Sequence, residues 1–383
     1  MNRLSILGLT GLSTLAFALA SPAWAQKHTL PPIQQAGQPL TEIASFDDDF
    51  RLVGIGVTPD GRIFATAPAN DRRSLYSVVE VDPKTGHITP YPDAVWNRFS
   101  ESRPASSEWI NAQALWVDVR GHLWVLDISL PSLDQHKFPP KLVEIDPASH
   151  TVLRQYPLGD IVHRPDALND LRVDPRVGTA YLTNAANQGS LVVLDLASGK
   201  GRQVLVGDRS TRSDPNQHFT VEGQQALKNN GQPVVLHADG IALSPKGDWL
   251  YYRPLSDHHY WRVPTAALRD ASLSPAALAS KVQFLGDSVM SGGLIMSPAG
   301  TLIGGDLQHR TVVAMQADGQ PPRLTTTLLA SDPRLSWADG FAISQGKLYI
   351  ADSRLWEVGF RNGYKRAGKF AIYSLELPKN KAD

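Results

Sequence analysis

Residues 238–252 read ADGIALSPKGDWLYY: an apolar strand, a turn that contains glycine, and then an aromatic strand. Two such strands around a glycine turn predict a β-hairpin. The same pattern occurs six times, in copies that begin at Gly54, Ala112, Asn169, Ala238, Ser291 and Ala338. The chain is therefore interpreted as six related units.

The turn glycines give the period of the repeat. They are Gly61, Gly121, Gly178, Gly247, Gly300 and Gly346, at intervals of 46 to 69 residues. Periods of about 40 to 50 residues with hairpin signals are typical of propeller blades, and longer intervals indicate loop insertions. A third strand follows each hairpin, as in KLVEIDP at 141–147, and weaker fourth strands follow, as in TVLRQYPL at 151–158. The sequence predicts an all-β, six-bladed β-propeller with four antiparallel strands per blade.

The two ends of the predicted ring require a closing strand. The sixth unit has three strands in total, one fewer than the other units. The segment LTEIASF at 40–46 precedes the first unit and belongs to none. We expect this segment to pair as the outer strand of the last blade, which removes an open sheet edge. The best helical candidate, residues 266–280, is interrupted by Pro275.

The first 25 residues have the layout of a secretory signal peptide. A polar, basic start precedes an apolar stretch from Ser5 to Leu19, and Ala23-Trp24-Ala25 gives a small-x-small cleavage site. An apolar stretch this short is a poor membrane span. We expect cleavage of residues 1–25, a single propeller domain over residues 26–383, and export to the periplasm or the medium, without membrane contact after cleavage.

Composition excludes several classes of function. The chain has 37 basic and 37 acidic residues, so nothing predicts bulk electrostatic attraction to nucleic acid. It has no cysteine, which excludes thiol catalysis, disulfides and thiolate metal sites. The GxSxG, HExxH and P-loop motifs are also absent from the sequence. Any chemistry must therefore rest on other side chains.

Four stretches resemble the Yellow/major royal jelly protein family. They are ALWVDVRGHLWVLDI at 114–128, NDLRVDPRVGTAYLTNAANQGSLVVLDL at 169–196, SDPNQHFTVEGQQ at 213–225 and HADGIALSPKGDWLYYRPLSDHHYWRVPTAAL at 237–268. The resemblance runs from Ala112 to Trp356, and the missing cysteines and a weaker first blade depart from the family pattern. It implies a six-bladed propeller with a small-molecule pocket at its axis. It does not imply one reaction, since members bind biogenic amines, are linked to pigment chemistry such as dopachrome conversion, or are nutritive.

The chain also resembles, more distantly, the calcium-dependent lactonases of the gluconolactonase type. The comparison concerns one symmetry-related position near the start of each inner strand: Val53, Gln113, Asn169, Asp239, Gly292 and Asp339. In the lactonase pattern the metal ligands Glu, Asn and Asp fall at Val53, Asp239 and Gly292, and only the substrate-side Asn is retained, as Asn169. Because calcium prefers six to eight oxygen ligands, an unchanged lactonase site is not expected.

Equivalent positions on the innermost strands of a propeller face the same axis. We therefore expect Asn169, Asp239 and Asp339 to converge at one mouth of the channel. Two carboxylates beside a narrow axis repel each other and lose solvation, so either one pKa rises or a cation binds. The candidate cations are calcium, another divalent metal ion and a ligand ammonium group. The alternative is that these side chains only hydrogen-bond neighbouring loops and channel water.

The predicted roles follow from these residue types. Asp239 or Asp339 is the candidate general base or metal ligand, and Asn169 the residue that orients the substrate. Further candidates for ligand contacts are Gln113, Asp170, His237, Tyr252 and Trp337. The long connection at 207–238 is a candidate lid, because long loops in compact domains are often functional.

Two classes of function remain open at the level of sequence. The first is binding of a small cyclic, aromatic or amine compound at the axial mouth, with or without tautomerase or lactonase chemistry, which needs a base and an oxyanion partner but no redox cofactor. The second is a non-enzymatic scaffold whose blade loops bind another protein. A polar, concave axial pocket favours the first, and a plugged axis with an exposed apolar patch favours the second.

Overall fold

The repeated hairpin forms the two inner strands of each blade. The computed structural model describes residues 37–69, 73–228, 230–359 and 368–378, and within them six four-stranded antiparallel sheets are formed. The strands, in chain order, are β1 Thr41–Phe46; β2 Ile55–Val57, β3 Ile63–Thr66, β4 Val78–Val81 and β5 Ile88–Pro90; β6 Ala112–Val117, β7 Leu123–Asp127, β8 Lys141–Asp146 and β9 Thr151–Pro157; β10 Leu168–Asp174, β11 Thr179–Asn184, β12 Ser190–Asp195 and β13 Gly201–Val204; β14 Thr220–Val221 and β15 Gln224–Gln225; β16 Ala238–Leu243, β17 Trp249–Pro254, β18 His259–Pro264 and β19 Gln283–Asp287; β20 Leu294–Met296, β21 Leu302–Asp306, β22 Thr311–Asp318 and β23 Arg323–Ser331; and β24 Ala338–Ser344, β25 Lys347–Asp352 and β26 Phe370–Glu376.

The sheets are arranged as a closed ring. In the first five blades the strand order follows the chain from the innermost strand outwards. The innermost strands are β2, β6, β10, β16, β20 and β24; each contacts the next, and β24 contacts β2. The predicted six-bladed β-propeller is therefore confirmed.

The ring closes as the sequence predicts. In the sixth sheet the order is β1-β26-β25-β24, so the N-terminal strand is the outermost strand of the last blade. Phe46 lies opposite Phe370 in the antiparallel pair, and both side chains are buried in one apolar cluster with Phe50. Burial of a side chain of this size contributes about 1.5–3 kcal/mol, which makes the joint between the two ends of the ring a packed core.

The turn glycines explain why the hairpins form where they do. All six have positive φ, between 60° and 91°. A residue with a Cβ rarely adopts this region, so glycine at this position fixes the turn between the first and second strands of each blade.

Helices are short in the described part of the chain. They are α1 Thr265–Arg269, α2 Pro275–Ala279 and α3 Leu355–Val358, with a 3-10 turn at Ala105–Ser107. Pro275 opens α2, where its missing N–H costs nothing, and Ser274 caps the helix by accepting a 3.2 Å bond from the Ala277 N–H. No helix in these ranges is long and apolar enough to cross a membrane. The predicted signal peptide, residues 1–25, lies outside the described residues, and it stays a prediction.

Candidate functional site

Polar residues near the axis lie at irregularities of the inner strands. In β6, Ala112 pairs with Asp127 and Ala114 with Leu126, so Gln113 is an extra residue in the ladder. Comparable register shifts occur in β10 between Leu168 and Leu171, in β16 between Ala238 and Ile241, and in β24 between Ala338 and Gly340. A β-bulge re-aims the side chain of its extra residue. The bulges of these four blades therefore coincide with polar residues of the sequence: Gln113, Asn169-Asp170, Asp239-Gly240 and Asp339.

The six symmetry-related positions come together. Val53, Gln113, Asn169, Asp239, Gly292 and Asp339 all line one cavity of about 320 Å³, the axial cavity. Asp170 and Trp337 line it as well, as do Arg172 and Phe341, which the sequence did not single out. The convergence of these residues is observed, whereas their roles in binding or catalysis stay predictions.

A chain of hydrogen bonds follows one side of the axial cavity. Gln113 donates from Nε2 to Oδ1 of Asn169 at 3.1 Å, and Asn169 donates from Nδ2 to Oδ1 of Asp239 at 2.7 Å. Each bond joins two neighbouring blades. The amide of Asn169 is therefore held with its nitrogen towards the carboxyl group of Asp239.

Asp239 is nearly inaccessible, with 5% of its surface exposed. Burial raises the pKa of this carboxyl group well above its ordinary value, and the neighbouring charges of Asp339 and Asp170 raise it further. Its backbone carbonyl accepts a 2.7 Å bond from Thr183 Oγ1, which anchors the bulge to the third blade. Burial therefore favours the protonated form of Asp239, which can donate a hydrogen bond into the cavity, although the charge of the buried Arg253 acts in the opposite direction.

Asp339 titrates close to neutrality. Burial raises its pKa to about 7, with a further contribution from the charge of Asp170, while hydrogen bonds from Ser353 and Trp337 act in the opposite direction. Two glycines make room for this residue. A Cβ on Gly292 would lie 2.5 Å from Asp339 Oδ1, and one on Gly293 would lie 1.7 Å from the Asp339 carbonyl oxygen. A side chain at Gly292 would displace the carboxyl group, and one at Gly293 would displace the backbone of Asp339.

The third carboxylate, Asp170, is paired with a buried arginine. Arg172 NH1 donates to Asp170 Oδ1 at 3.0 Å, and NH2 donates to the carbonyl of Leu294 in the fifth blade. Its guanidinium carbon lies 4.4 Å from the ring centroid of Trp116. Within the described residues, Asp239 and Asp339 form no such ion pair, although the charge of the buried Arg253 lowers the pKa of Asp239. The sequence feature that could have identified Arg172 is a charged residue between two apolar residues of a predicted inner strand, Leu171 and Val173.

The outer rim of the axial cavity is apolar. Leu236, Leu255 and Leu355 line it, and Leu236 belongs to the long connection at 207–238. Phe219 of the same connection meets Trp337 edge to face, with ring centroids 5.5 Å apart. The connection, which contains β14 and β15, therefore contributes to the cavity wall and packs on Trp337, whereas its role as a lid stays a prediction.

Two sequence-predicted residues lie away from the cavity lining. Tyr252 is fully buried in the apolar core of the fourth blade, where its hydroxyl donates to Ser210 Oγ at 2.8 Å. On the second strand of its blade, its side chain faces the neighbouring sheet and not the axis. His237 lines a separate depression and accepts a 3.2 Å bond at Nδ1 from the Ser213 N–H. The aromatic rings at the cavity belong to Trp337 and Phe341 instead.

The axial residues do not fit calcium as they stand. In the described ranges, three His, Asp or Glu ligand atoms lie within 4.8 Å of one another at Asp118, His122 and Glu144. By distance this triad could hold a metal ion, but Arg120 already pairs with Asp118 at 2.6 Å and with Glu144 at 2.8 Å. At the axis the amide nitrogen of Asn169 faces Asp239, and no three carboxylate or histidine ligand atoms of the described axial residues lie within 4.8 Å of one another, so they do not form the compact oxygen cluster that calcium prefers.

Comparison with known proteins identifies related chains. A family model described as Major royal jelly protein matches residues 110–382. Major royal jelly protein 7 of Apis mellifera is 28% identical over 201 residues, which are 48% of this chain and 42% of that protein. Major royal jelly protein 3 of the same organism is 27% identical over 234 residues, or 56% of this chain and 39% of that protein. The aligned regions thus span about two fifths of these relatives.

Solved structures share the architecture at low sequence identity. A luciferin-regenerating enzyme has a TM-score of 0.53 and 12% identity, over 88% of this chain and 94% of that chain. The calcium-binding protein regucalcin of Agrobacterium tumefaciens has a TM-score of 0.50 and 12% identity, over 89% and 94% of the two chains. Likeness at this level concerns the fold alone.

Proposed function

This chain belongs to the major royal jelly protein family, and we propose that it is a ligand-binding propeller whose axial cavity takes a small cyclic or aromatic amine. The observation that carries the proposal is the pair Asp239 and Asp339, two desolvated carboxyl groups in one cavity that form no ion pair among the described residues. A buried carboxylate is costly unless a cation accompanies it. A ligand ammonium group would supply that cation through charge-assisted hydrogen bonds.

The remainder of the cavity suits a ring. Trp337 and Phe341 provide aromatic surface, and Leu236, Leu255 and Leu355 provide an apolar rim. Aromatic faces attract both cations and other rings. The cavity volume of about 320 Å³ lies at the small end of the range for small-molecule sites. These features favour a compact amine over a peptide or a polymer.

The same groups support tautomerisation as the chemistry of the site. A general base works best when its pKa is close to the ambient pH, which is the case for Asp339 at about 7. In the reaction we propose, Asp339 removes a proton from carbon next to a ring carbonyl, the protonated Asp239 hydrogen-bonds the developing oxyanion, and the proton returns at another atom of the ligand. No oxidant or reductant is required. Asn169 keeps Asp239 oriented during the transfer.

Lactone hydrolysis and a scaffold role have less support. The axial donor set does not fit the calcium ion that the lactonase chemistry uses, and the axial mouth is an open cavity that contains polar groups and not a plug. We also propose export of the chain, on the pattern of residues 1–25. N-terminal sequencing of the protein purified from its natural host tests this: a mature start at Gln26 supports export, and retention of residues 1–25 contradicts it.

The binding proposal is tested with matched ligand pairs. We expect an aromatic ethylamine to raise the melting temperature, and its neutral analogue, in which a hydroxyl replaces the amine, to have a much smaller effect, because only the amine pairs with the carboxylates. Asp339→Asn is expected to abolish this difference, whereas Asp318→Asn, a surface control on β22, retains it. Equal responses to amine and alcohol, or an unchanged response in Asp339→Asn, would contradict the proposal.

A further inference from the structure

The propeller axis holds a second cavity beyond the axial cavity. It has a volume of about 650 Å³, is lined by the last residues of the inner strands and by the hairpin turns, and is called here the distal cavity. Ile55 lines both cavities, and each of the other five inner strands contributes residues first to the axial and then to the distal cavity. Whatever separates the two cavities therefore decides how deep a ligand of the axial cavity can reach.

The guanidinium group of Arg172 lies where the two cavities meet. Its carbon is 4.4 Å from the ring centroid of Trp116 in the second blade, and Nη2 donates to the carbonyl of Leu294 in the fifth blade. The second and fifth blades are opposite each other in a ring of six, so a group that contacts both lies on the propeller axis. Arg172 lines the axial cavity and Trp116 lines the distal cavity. The guanidinium group therefore lies on the axis between the two cavities.

Several contacts hold this group in place. Arg172 has 3% of its surface exposed, and its Nη1 donates to Asp170 Oδ1 at 3.0 Å and to the carbonyl of Leu171. A guanidinium group is planar, and it combines bidentate hydrogen bonding with stacking on an aromatic face. Contacts to the second, third and fifth blades thus fix the group across the channel, and its charge is paired with Asp170.

The fold does not require a charge at this position. The equivalent residues, one before the last apolar residue of each inner strand, are apolar or small in the other five blades: Gly56, Trp116, Ala242, Ile295 and Ala342. Replacement of a buried ion pair by apolar residues is often neutral or stabilising. The charge of Arg172 is therefore poorly explained by packing between blades, and its position on the axis indicates a role in the cavity.

We propose that Arg172 is a specificity-determining residue, which closes the inner end of the axial cavity and thereby limits the length of the ligand. The inference rests on the proposed function, because the ammonium group held by Asp239 and Asp339 fixes one end of the ligand. Beyond the guanidinium group, the distal cavity offers six apolar side chains, one from each blade: Val57, Val117, Val173, Leu243, Met296 and Ile343. A hydrocarbon chain would gain affinity there if the channel were open.

Calorimetric titration with linear alkylamines, from butylamine to octylamine, tests the proposal. In the wild type the longer chains cannot pass Arg172, so affinity should rise little with chain length. In Arg172→Ala the chain can enter the distal cavity, where each buried methylene should strengthen binding about fourfold. The ratio of octylamine to butylamine affinity should therefore be at least tenfold larger in Arg172→Ala than in the wild type. Gains at the apolar rim occur in both proteins and cancel in this comparison.

A matched arginine variant and a double variant are the controls. Arg262→Ala removes a guanidinium group that is stacked on Trp249 at 4.2 Å, outside the lining of the axial cavity, and should keep the wild-type ratio. If the unpaired Asp170 prevents folding of Arg172→Ala, the double variant Asp170→Asn/Arg172→Ala replaces it with the same expected ratio. A wild-type ratio in the folded variant would assign Arg172 a purely structural role and overturn the proposal.

A second measurement does not depend on amine binding. Methylguanidinium at millimolar concentration should occupy the space vacated in Arg172→Ala, raise its melting temperature and leave that of the wild type unchanged. Methylammonium, which has the same charge without the planar group, should have a smaller effect. If the wild type binds none of the alkylamines, the proposed function fails and this measurement decides the role of Arg172. Equal responses of Arg172→Ala and wild type to methylguanidinium would contradict an opening on the axis.

Discussion

Asn169 donates a hydrogen bond from Nδ2 to Oδ1 of Asp239 at 2.7 Å, although 70 residues separate the two in the chain. The bond crosses the joint between the third and fourth blades and orients a carboxyl group whose pKa burial raises. Both residues lie at β-bulges of innermost strands. The polar side of the axial cavity is therefore built from irregularities that recur from blade to blade.

Replacement of Asn169 tests this bond. Asn169→Ala leaves a carboxyl group that is 5% exposed without its hydrogen-bond donor, which should lower the free energy of unfolding by about 1–3 kcal/mol and weaken amine binding. Gln113→Ala is the matched comparison, because it removes only the partner of Asn169 and keeps the bond to Asp239. Chemical denaturation and calorimetry measure the two effects. Equal effects of the two variants would contradict the role assigned to Asn169.

Gly292 is expected to be required for binding because of the space it leaves. A Cβ at this position would lie 2.5 Å from Asp339 Oδ1, so Gly292→Ala should displace the carboxyl group and lower amine affinity at least tenfold. Gly159→Ala is the control, since a Cβ there meets only Pro139 Cβ at 3.0 Å and Gly159 lines a separate surface depression. Calorimetric titration of both variants is the measurement. Wild-type affinity in Gly292→Ala would show that Asp339 does not contact the ligand.

The raised pKa of Asp339 predicts a pH dependence of stability. In the unfolded chain this carboxyl group ionises near its ordinary pKa of roughly 3.9, whereas in the folded protein it keeps its proton up to about pH 7. The unfolded state therefore binds fewer protons between these values, and stability falls as pH rises through that window. Asp339→Asn removes this contribution.

The comparison is made on the ligand-free protein. Relative to wild type, Asp339→Asn should gain stability steadily from pH 4 to pH 7 and show no further relative change above pH 8. Denaturant unfolding at several pH values, with Asp318→Asn as the control, provides the difference curves. A difference curve that is flat between pH 4 and pH 7 would exclude a raised pKa at Asp339.

The long connection at 207–238 is expected to loosen at alkaline pH. His259 Nδ1 lies 2.6 Å from Asp287 Oδ1, and Nε2 lies 3.5 Å from Asp214 Oδ2 in the connection at 207–238. Burial lowers the pKa of His259, but the hydrogen bond to Asp287 and the neighbouring carboxylates raise it by more, so the net shift is upward. Its stabilising contribution is present below the unfolded pKa of roughly 6.5 and is lost as pH rises through the folded pKa.

Limited proteolysis of the connection measures this effect. We expect cleavage within 207–238 to accelerate between pH 6 and pH 9 in the wild type, after correction for the protease's own pH profile. His259→Gln should be cleaved quickly at all pH values, whereas His87→Gln, at an exposed site on the first blade, should behave as the wild type does. Slow cleavage of His259→Gln at pH 6 would show that the contact between His259 and Asp214 does not hold the connection in place.

The sequence predicts most of the fold because the repeat shows which residues occupy equivalent positions in the six blades. Once the turn glycines align the six units, Asp239 and Asp339 occupy equivalent positions, and closure of the ring brings them together. Two features of the folded chain have a different origin. The face to which Tyr252 points depends on packing between blades, and the contact between Phe219 and Trp337 joins segments that are distant in the chain. Neither is encoded in local periodicity.

The bulges and Arg172 could not be inferred in the same way. A bulge adds one residue to one strand, so the alternation of side chains cannot be counted through it from the sequence alone. Arg172 lies in a strand whose neighbours are apolar, and its stabilisation by Asp170 and by the Leu294 carbonyl becomes visible only in the folded ring.

The proton balance of ligand binding tests the central claim most directly. If Asp239 and Asp339 hold the ammonium group of a ligand, protons that they carry in the free protein must leave when the cation binds. Calorimetric titration of an aromatic ethylamine at pH 6.5, repeated in buffers with different ionisation enthalpies, gives the number of protons released. The amine is already fully charged at this pH, so the protons originate from the protein.

We expect roughly one proton to be released per ligand in the wild type, and less in Asp339→Asn if that variant still binds measurably. Saturable amine binding with the same heat in every buffer, that is, without any proton release, would contradict the account of the axial carboxyl pair.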